Sequence, residues 1–121
     1  MIWIIDDDEI YQFTVLKKLE KNGYKHDVQS FLNPEDALVQ LKKQGQIPPP
    51  NVILLDINMP QMDGWEFLEK LRALAFSIQN LQIFMVSSSI DHRDIERAKN
   101  SSLLKGYFSK PLDINAFLQK V

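Results

Sequence analysis

Directly after Met1 the chain reads Ile2-Trp3-Ile4-Ile5-Asp6-Asp7-Asp8, a continuous apolar run that ends in three aspartates. Two similar runs follow, Val52-Ile53-Leu54-Leu55 and Ile83-Phe84-Met85-Val86. Continuous rather than alternating apolar residues are typical of strands that are covered on both faces, as in the centre of a parallel sheet. Val28-Gln29-Ser30-Phe31 and the stretch 103–108 are weaker strands, which we expect nearer an edge of that sheet.

Helical patterns lie between these runs. The clearest start is Asn33-Pro34-Glu35-Asp36, which combines a capping side chain, an N-terminal proline and acids that complement the helix dipole. Before it, apolar residues recur at three-residue steps: Ile10, Phe13, Leu16 and Leu19. The other predicted helices follow a glycine or an aspartate: Gly64, Asp91 and Asp113. This order predicts an α/β fold with a doubly wound, five-stranded parallel sheet, helices on both faces and one domain spanning residues 1–121.

Length and composition limit the possible functions. The 121 residues fit a single domain, and a formal net charge of −2 gives no broad positive field for the phosphates of nucleic acid. The absence of cysteine removes disulfides, thiolate metal sites and cysteine nucleophiles. No apolar run reaches the length of a membrane span, so we expect a cytoplasmic protein that binds neither membrane nor nucleic acid directly.

Chemically useful side chains follow four of the predicted strands. Asp6-Asp7-Asp8, Asp56, Ser87-Ser88-Ser89 and Lys110-Pro111 stand where strands 1, 3, 4 and 5 end. In open parallel sheets the active crevice lies beyond the carboxyl ends of the strands. These four segments therefore converge on one pocket if the four strands are neighbours.

The chemistry of such a pocket favours phosphoryl transfer. Asp6, Asp7 and Asp56 would repel one another, and a hard divalent cation such as Mg²⁺ relieves that repulsion through oxygen ligands. Lys110 can pair with Asp56 or with a phosphoryl oxygen, and Ser87 adds a hydroxyl donor. Together these groups could stabilise a transferring phosphoryl group, with the Asp56 carboxylate as the nucleophile.

Each segment also has an ordinary structural explanation. The Asp6-Asp7-Asp8 run can simply begin a helix, because acids favour a helix N-terminus, and Asp56 can form an Asx turn. The serine run can cap a loop, Lys110 can be a solvated lysine, and Tyr107 is expected to be a packed aromatic. The coincidence of four strand ends is what favours a functional site.

Several stretches of the chain resemble the receiver domain of two-component response regulators. They are Ile4-Ile5-Asp6-Asp7-Asp8, Leu54-Leu55-Asp56-Ile57-Asn58-Met59-Pro60, Met62-Asp63-Gly64, Val86-Ser87-Ser88 and Gly106-Tyr107-Phe108-Ser109-Lys110-Pro111. The D-x-x-M-P-x-M-D-G pattern is specific, and the similarity extends over residues 2–118. The resemblance implies a flavodoxin-like, three-layer αβα fold with strand order 2-1-3-4-5.

The resemblance also implies a Mg²⁺ site. Asp7 and Asp56 match the carboxylates that bind the ion. Asn58 matches the residue whose backbone carbonyl binds it, and Asp6 matches the acid that holds a metal-bound water.

Phosphorylation and switching are implied in the same way. Asp56 matches the phospho-accepting aspartate, and Lys110 matches the lysine that pairs with the phosphoryl group. Ser87 matches the hydroxyl residue that moves toward a phosphoryl oxygen, and Tyr107 matches the aromatic whose rotamer reports the switch. The bond between Lys110 and Pro111 is often cis in this family.

The function that the resemblance implies is that of a phospho-accepting receiver in a phosphorelay. The phosphoryl group comes from a sensor histidine kinase or a histidine phosphotransfer protein, and the domain catalyses only its own phosphorylation and dephosphorylation. Phosphorylation switches the face of helix 4, strand 5 and helix 5 toward an output protein that the sequence does not name. No output domain follows, so we expect a stand-alone receiver rather than one whose effector was removed.

Three alternatives differ in chemistry. A phosphatase of the haloacid-dehalogenase type also uses an aspartate after a strand, but it needs a second acid two residues on, where Asn58 stands. A flavodoxin-like cofactor binder would place a phosphate loop after strand 1, where three aspartates repel phosphate. The third alternative is a receiver-like interaction module that is never phosphorylated. It has the same fold, and the residues quoted above do not exclude it.

Overall fold

The computed structural model describes residues 1–24, 27–43, 49–74, 81–88 and 91–121. In these residues, strands and helices alternate along the chain: β1 (Ile2–Ile5), α1 (Glu9–Lys21), β2 (Val28–Phe31), α2 (Pro34–Lys42), β3 (Val52–Leu55), α3 (Gly64–Ala73), β4 (Gln82–Ser87), α4 (His92–Lys99), β5 (Leu104–Ser109) and α5 (Ile114–Leu118). The strands form one parallel sheet in the order β2-β1-β3-β4-β5, which confirms the predicted topology. None of the described helices has the length and apolar content that crossing a bilayer requires.

The core lies on both faces of the sheet. Trp3 and Ile5 point to the side covered by α2, α3 and α4, whereas Ile2 and Ile4 point to the side covered by α1 and α5. Every residue of β1 and β3 is buried, while the edge strands β2 and β5 are largely half-buried. The continuous apolar runs therefore do form the central strands, and the weaker runs form the edges.

An aspartate or asparagine caps the N-terminus of each of these helices. The capping side chains accept a backbone N–H from the first turn: Asp8, Asn33, Asp63, Asp91 and Asp113. The predicted starts at Asn33, Asp91 and Asp113 are confirmed. The Asp8 carboxylate accepts the Tyr11 N–H at 3.0 Å, so it caps α1. The run of three aspartates therefore divides between a helix cap and a strand end.

Helix α1 buries a different face from the one that its apolar residues mark. Gln12, Val15 and Leu19 are buried, whereas Ile10 and Phe13 are 79% and 61% exposed. An α-helix turns by about 100° per residue, so residues nine positions apart lie on opposite sides of it. The three-residue spacing of apolar residues from Ile10 to Leu19 therefore predicts the helix correctly, but it does not identify the face of the helix that is buried.

Candidate functional site

The sheet brings Asp6 and Asp56 to the same level at the ends of neighbouring strands. β1 pairs with β3 in unbroken register up to Ile5 opposite Leu55. The Asp56 N–H donates to the Ile5 carbonyl at 3.0 Å, and the Asp6 N–H donates to the Phe31 carbonyl on β2 at 3.0 Å. Both backbones are thus fixed by the parallel ladder, at the edge where such sheets bind ligands.

Asp6, Asp7 and Asp56 form an acidic cluster beyond these strand ends. Each offers a carboxylate oxygen, and these oxygens all lie within 4.8 Å of one another. Asp6 and Asp56 are buried, whereas Asp7 is exposed. Burial, together with the charge of Asp6, raises the pKa of the Asp56 carboxyl to about 6. Burial also raises the pKa of Asp6.

The acidic cluster fits a hard divalent cation. Its donors are carboxylate oxygens, which Mg²⁺ prefers, and the exposed Asp7 leaves a side open to the waters that Mg²⁺ retains in proteins. Burial, with the charge of neighbouring carboxylates, raises the pKa values of Asp6 and Asp56, and a bound cation would favour their ionised forms. Asn58 lies with an exposed side chain in the loop between β3 and α3, and the role of its carbonyl stays a prediction.

Lys110 brings positive charge into this cluster. Its Nζ lies 2.7 Å from Asp6 Oδ2 and 3.7 Å from Asp56 Oδ1, and its side chain is 19% exposed. The Lys110 N–H donates to the Ser87 carbonyl at 3.0 Å, which ties the end of β5 to the end of β4. The bond to Pro111 is cis, as the resemblance implies. Lys110 is therefore held in the site and is not a solvated lysine.

Ser87 and Tyr107 contact each other beside the acidic cluster. Ser87 is fully buried at the end of β4, and a side-chain hydrogen bond links it to the half-buried Tyr107 of β5. Tyr107 also packs against the apolar cluster on the α3 and α4 side, so it is a packed aromatic and a partner of Ser87 at once. Burial raises the pKa of the Tyr107 hydroxyl. Ser89 lies outside the described residues.

The loop after Asp56 is anchored by buried side chains. Ile57, Met59 and Met62 are buried, and the Gly64 N–H donates to the Ile57 carbonyl at 2.8 Å. A Cβ on Gly64 would lie 2.5 Å from the Asp56 carbonyl oxygen. A residue with no side chain is therefore what lets α3 begin against the backbone of Asp56, which gives the methionines and glycine of this motif a physical reason.

Two residues of α1 contact the site although the sequence did not predict them there. Gln12 is buried, and its Nε2 donates to the carbonyls of Asp6 at 3.1 Å and Phe31 at 2.9 Å, at the ends of β1 and β2. The Tyr11 ring lies 4.2 Å from Lys110 Nζ. The available signal was their position in the first turns of the helix that follows the aspartates. The polarity of Gln12 gave no signal of this position, because a buried glutamine interrupts an apolar stripe and does not extend it.

Comparison with known proteins assigns the family. The family model of the response regulator receiver domain matches residues 2–121. The chain belongs to this family. The receiver domain is similar in structure to a two-component response regulator from Cytophaga hutchinsonii, with a TM-score of 0.90 and 29% identity over 98% of this chain and 91% of that chain. A response regulator receiver protein from Dyadobacter fermentans is 34% identical over the same shares, with a TM-score of 0.84.

Curated relatives extend the same result. Chemotaxis protein CheY of Listeria monocytogenes is 33% identical over 70 residues, which are 58% of this chain and 56% of that protein. Two further relatives are matched over 72% and 23% of their own lengths. The chain therefore spans only part of the length of these two relatives. The family assignment confirms a receiver domain of two-component signalling systems.

Proposed function

We propose that this receiver accepts a phosphoryl group on Asp56 from a phosphohistidine donor, in a reaction that requires Mg²⁺. The observation that carries the proposal is a buried Asp56 carboxylate grouped with Asp6 and Asp7 and 3.7 Å from Lys110 Nζ. Positive groups fixed at such a site offset the charge on a transferring phosphoryl group, which is the main requirement of this chemistry. Residues 1–121 act as one receiver unit that catalyses only its own phosphorylation and dephosphorylation.

The proposed reaction exchanges one bond to phosphorus for another. A carboxylate oxygen of Asp56 bonds to phosphorus while the bond from phosphorus to the donor imidazole breaks. The imidazole nitrogen keeps the electron pair and takes up a proton, which leaves an acyl phosphate on Asp56 and a histidine on the donor. The attack needs an ionised carboxylate, and a pKa of about 6 leaves Asp56 mainly ionised at neutral pH.

The remaining charged groups have separate roles in the proposal. Asp7 and Asp56 would bind Mg²⁺ together with the backbone carbonyl of Asn58, and Asp6 would hold a water bound to the ion. The bound ion supplies positive charge to the phosphoryl oxygens. Lys110 supplies a second positive charge, and it turns from Asp6, where its Nζ lies at 2.7 Å, toward the phosphoryl group.

Ser87 and Tyr107 form the proposed switch. The side chains are hydrogen-bonded to each other, so a Ser87 hydroxyl that turns to a phosphoryl oxygen on Asp56 leaves Tyr107. β5, which carries Tyr107, is an edge strand in contact with α4. Phosphorylation of Asp56 thereby alters the face formed by α4, β5 and α5, where an output protein binds.

The donor is proposed to dock on the first turns of α1. Ile10 and Phe13 are 79% and 61% exposed there, and the helix begins directly after the acidic run. A protein that brings a phosphohistidine to Asp56 must cover this rim, and exposed apolar side chains next to a site favour such contact. A sensor histidine kinase or a histidine phosphotransfer protein is the donor class.

Intact mass spectrometry after incubation with acetyl phosphate tests the proposal. We expect a gain of one phosphoryl group with Mg²⁺ and no gain with EDTA. No gain with Mg²⁺, in a protein that a calorimetric titration shows to bind the ion, would favour the interaction module that is never phosphorylated. Repeated release of phosphate from a phosphate ester would instead favour the phosphatase.

A further inference from the structure

Lys110 contacts an aromatic ring as well as two carboxylates. Its Nζ lies 4.2 Å from the centroid of the Tyr11 ring, 2.7 Å from Asp6 Oδ2 and 3.7 Å from Asp56 Oδ1. A lysine side chain has a flexible four-carbon stem and loses many rotamers when it is ordered. Contacts on three sides therefore hold an ammonium group that would otherwise turn into water.

The Tyr11 ring is itself held in place. It packs against the apolar cluster between the sheet and helices α1 and α5, and the Tyr11 N–H is bound by the capping carboxylate of Asp8 at 3.0 Å. Its hydroxyl oxygen is buried and has no hydrogen-bond partner within the part of the chain that the structure describes. The contact with Lys110 therefore uses the face of the ring, which attracts cations, and not the hydroxyl.

We propose that Tyr11 is a positioning residue that keeps the Lys110 ammonium within reach of a phosphoryl group on Asp56. This inference rests on the proposed phosphorylation of Asp56. The ammonium is nearer to Asp6 than to Asp56, so it must leave one partner as phosphoryl oxygens arrive. A ring face attracts a cation without fixing it on one acceptor atom, and so it allows that turn while keeping the ammonium in the site.

Two substitutions separate the ring from the hydroxyl. Tyr11→Phe keeps the ring, whereas Tyr11→Leu removes it and retains an apolar side chain. We expect the initial rate of phosphoryl gain from acetyl phosphate and Mg²⁺ to stay within about twofold of wild type in Tyr11→Phe. The rate should fall about fivefold in Tyr11→Leu, the size expected for a partly exposed cation–π contact.

A double-mutant cycle tests whether Tyr11 acts through Lys110. In a Lys110→Met background, Tyr11→Leu should change the rate by less than about twofold, because no ammonium is left to position. A fivefold loss in both backgrounds would overturn the proposal, since it would assign Tyr11 a general structural role. Equal losses in Tyr11→Phe and Tyr11→Leu would also overturn it.

A second readout does not depend on phosphorylation. In protein with ¹³C-labelled lysine, the ring current of Tyr11 should shift the ε-methylene protons of Lys110 upfield. We expect that shift in wild type and Tyr11→Phe and its loss in Tyr11→Leu, and a shift that survives Tyr11→Leu would overturn the proposal. A wild-type protein that shows the shift but gains no phosphoryl group would overturn the proposed function, and with it the role of the contact, without removing the contact itself.

Discussion

The site consists of two halves that the sheet holds differently. They are an acidic half (Asp6, Asp7 and Asp56) and a lysine half (Ser87, Tyr107 and Lys110). The acidic half follows β1 and β3, in which every residue is buried and the register is unbroken. The lysine half belongs to β4 and β5, whose pairing shifts register between Ile83 and Phe84 and whose outer strand is largely half-buried.

The helices beside the two halves also differ in burial, and the helix beside the acidic half is the more buried one. Helix α3, which begins against Asp56, buries half of its length, including Trp65, Phe67 and Leu71. Helix α4, next to β5, buries Ala98 alone. Local stability follows buried apolar contact, so the acidic half is the more rigid part. A phosphoryl acceptor and its metal ligands need fixed geometry, whereas a switch needs an element that can move.

The largest expected effect is the loss of the acceptor. Asp56→Asn should abolish the gain of a phosphoryl group from acetyl phosphate, because an amide cannot form the acyl phosphate. Intact mass measures this, and an unchanged far-UV circular dichroism spectrum shows that the fold remains. Asp8→Asn is the matched control, since Asp8 caps α1 and asparagine caps as well. Phosphorylation of Asp56→Asn at the wild-type rate would place the acceptor elsewhere.

Removal of the exposed acid should weaken the metal site. Asp7→Asn deletes one of three clustered carboxylates, and we expect Mg²⁺ affinity to fall about 100-fold, the upper end of losses seen for groups that only support a metal ligand. Isothermal titration calorimetry measures the affinity, again beside Asp8→Asn. Equal affinity in Asp7→Asn and wild type would mean that the cation binds without the Asp7 carboxylate.

The buried charge of Asp56 should make the stability of the metal-free protein depend on pH. Its folded-state pKa is raised from 3.8 to about 6, so the folded state binds the proton more tightly than the unfolded state. Stability therefore falls as pH rises through that window. Asp56→Asn lacks the charge, and its advantage over wild type should grow by about 2 kcal/mol from pH 4 to pH 7. Urea denaturation in EDTA measures this, and a constant difference would contradict it.

Two glycines sharpen the comparison of the halves. A Cβ on Gly64 would meet the Asp56 carbonyl oxygen at 2.5 Å, whereas one on Gly106 would meet the Phe84 ring at 3.1 Å. Backbone yields less than a side chain, so we expect Gly64→Ala to cost about 2 kcal/mol and Gly106→Ala about 1 kcal/mol less. Urea denaturation compares the two, and a larger cost for Gly106→Ala would make the lysine half the tighter one.

The sequence predicted the parts of the fold that depend on strong local patterns. The apolar runs that begin at Ile2 and Val52 predicted the central strands. The residues that follow the strands predicted the site, where Asp6, Asp56 and Lys110 lie close together. Asparagine and aspartate predicted helix starts because their side chains satisfy free N–H groups at those positions. The acidic run was ambiguous, and it proved to serve both purposes, with Asp8 as a cap.

Burial on α1 could not be predicted in the same way. A stripe that passes from Ile10 to Leu19 crosses the helix, so the apolar residues alone do not choose the inner face. Gln12 is buried because carbonyls at the ends of β1 and β2 accept its amide, and the position of those carbonyls depends on tertiary structure. Tyr11 meets Lys110 across a separation of nearly the whole chain, and no local pattern reports such a contact.

The central claim is that Asp56 itself carries the phosphoryl group, and borohydride trapping tests it most directly. Borohydride reduces an acyl phosphate to an alcohol and leaves phosphate esters of serine and tyrosine intact. After reaction with acetyl phosphate and Mg²⁺, peptide mass mapping should find homoserine at position 56 and aspartate at positions 6 and 7. Homoserine at another aspartate, or a phosphoryl group retained on Ser87 or Tyr107, would contradict the claim.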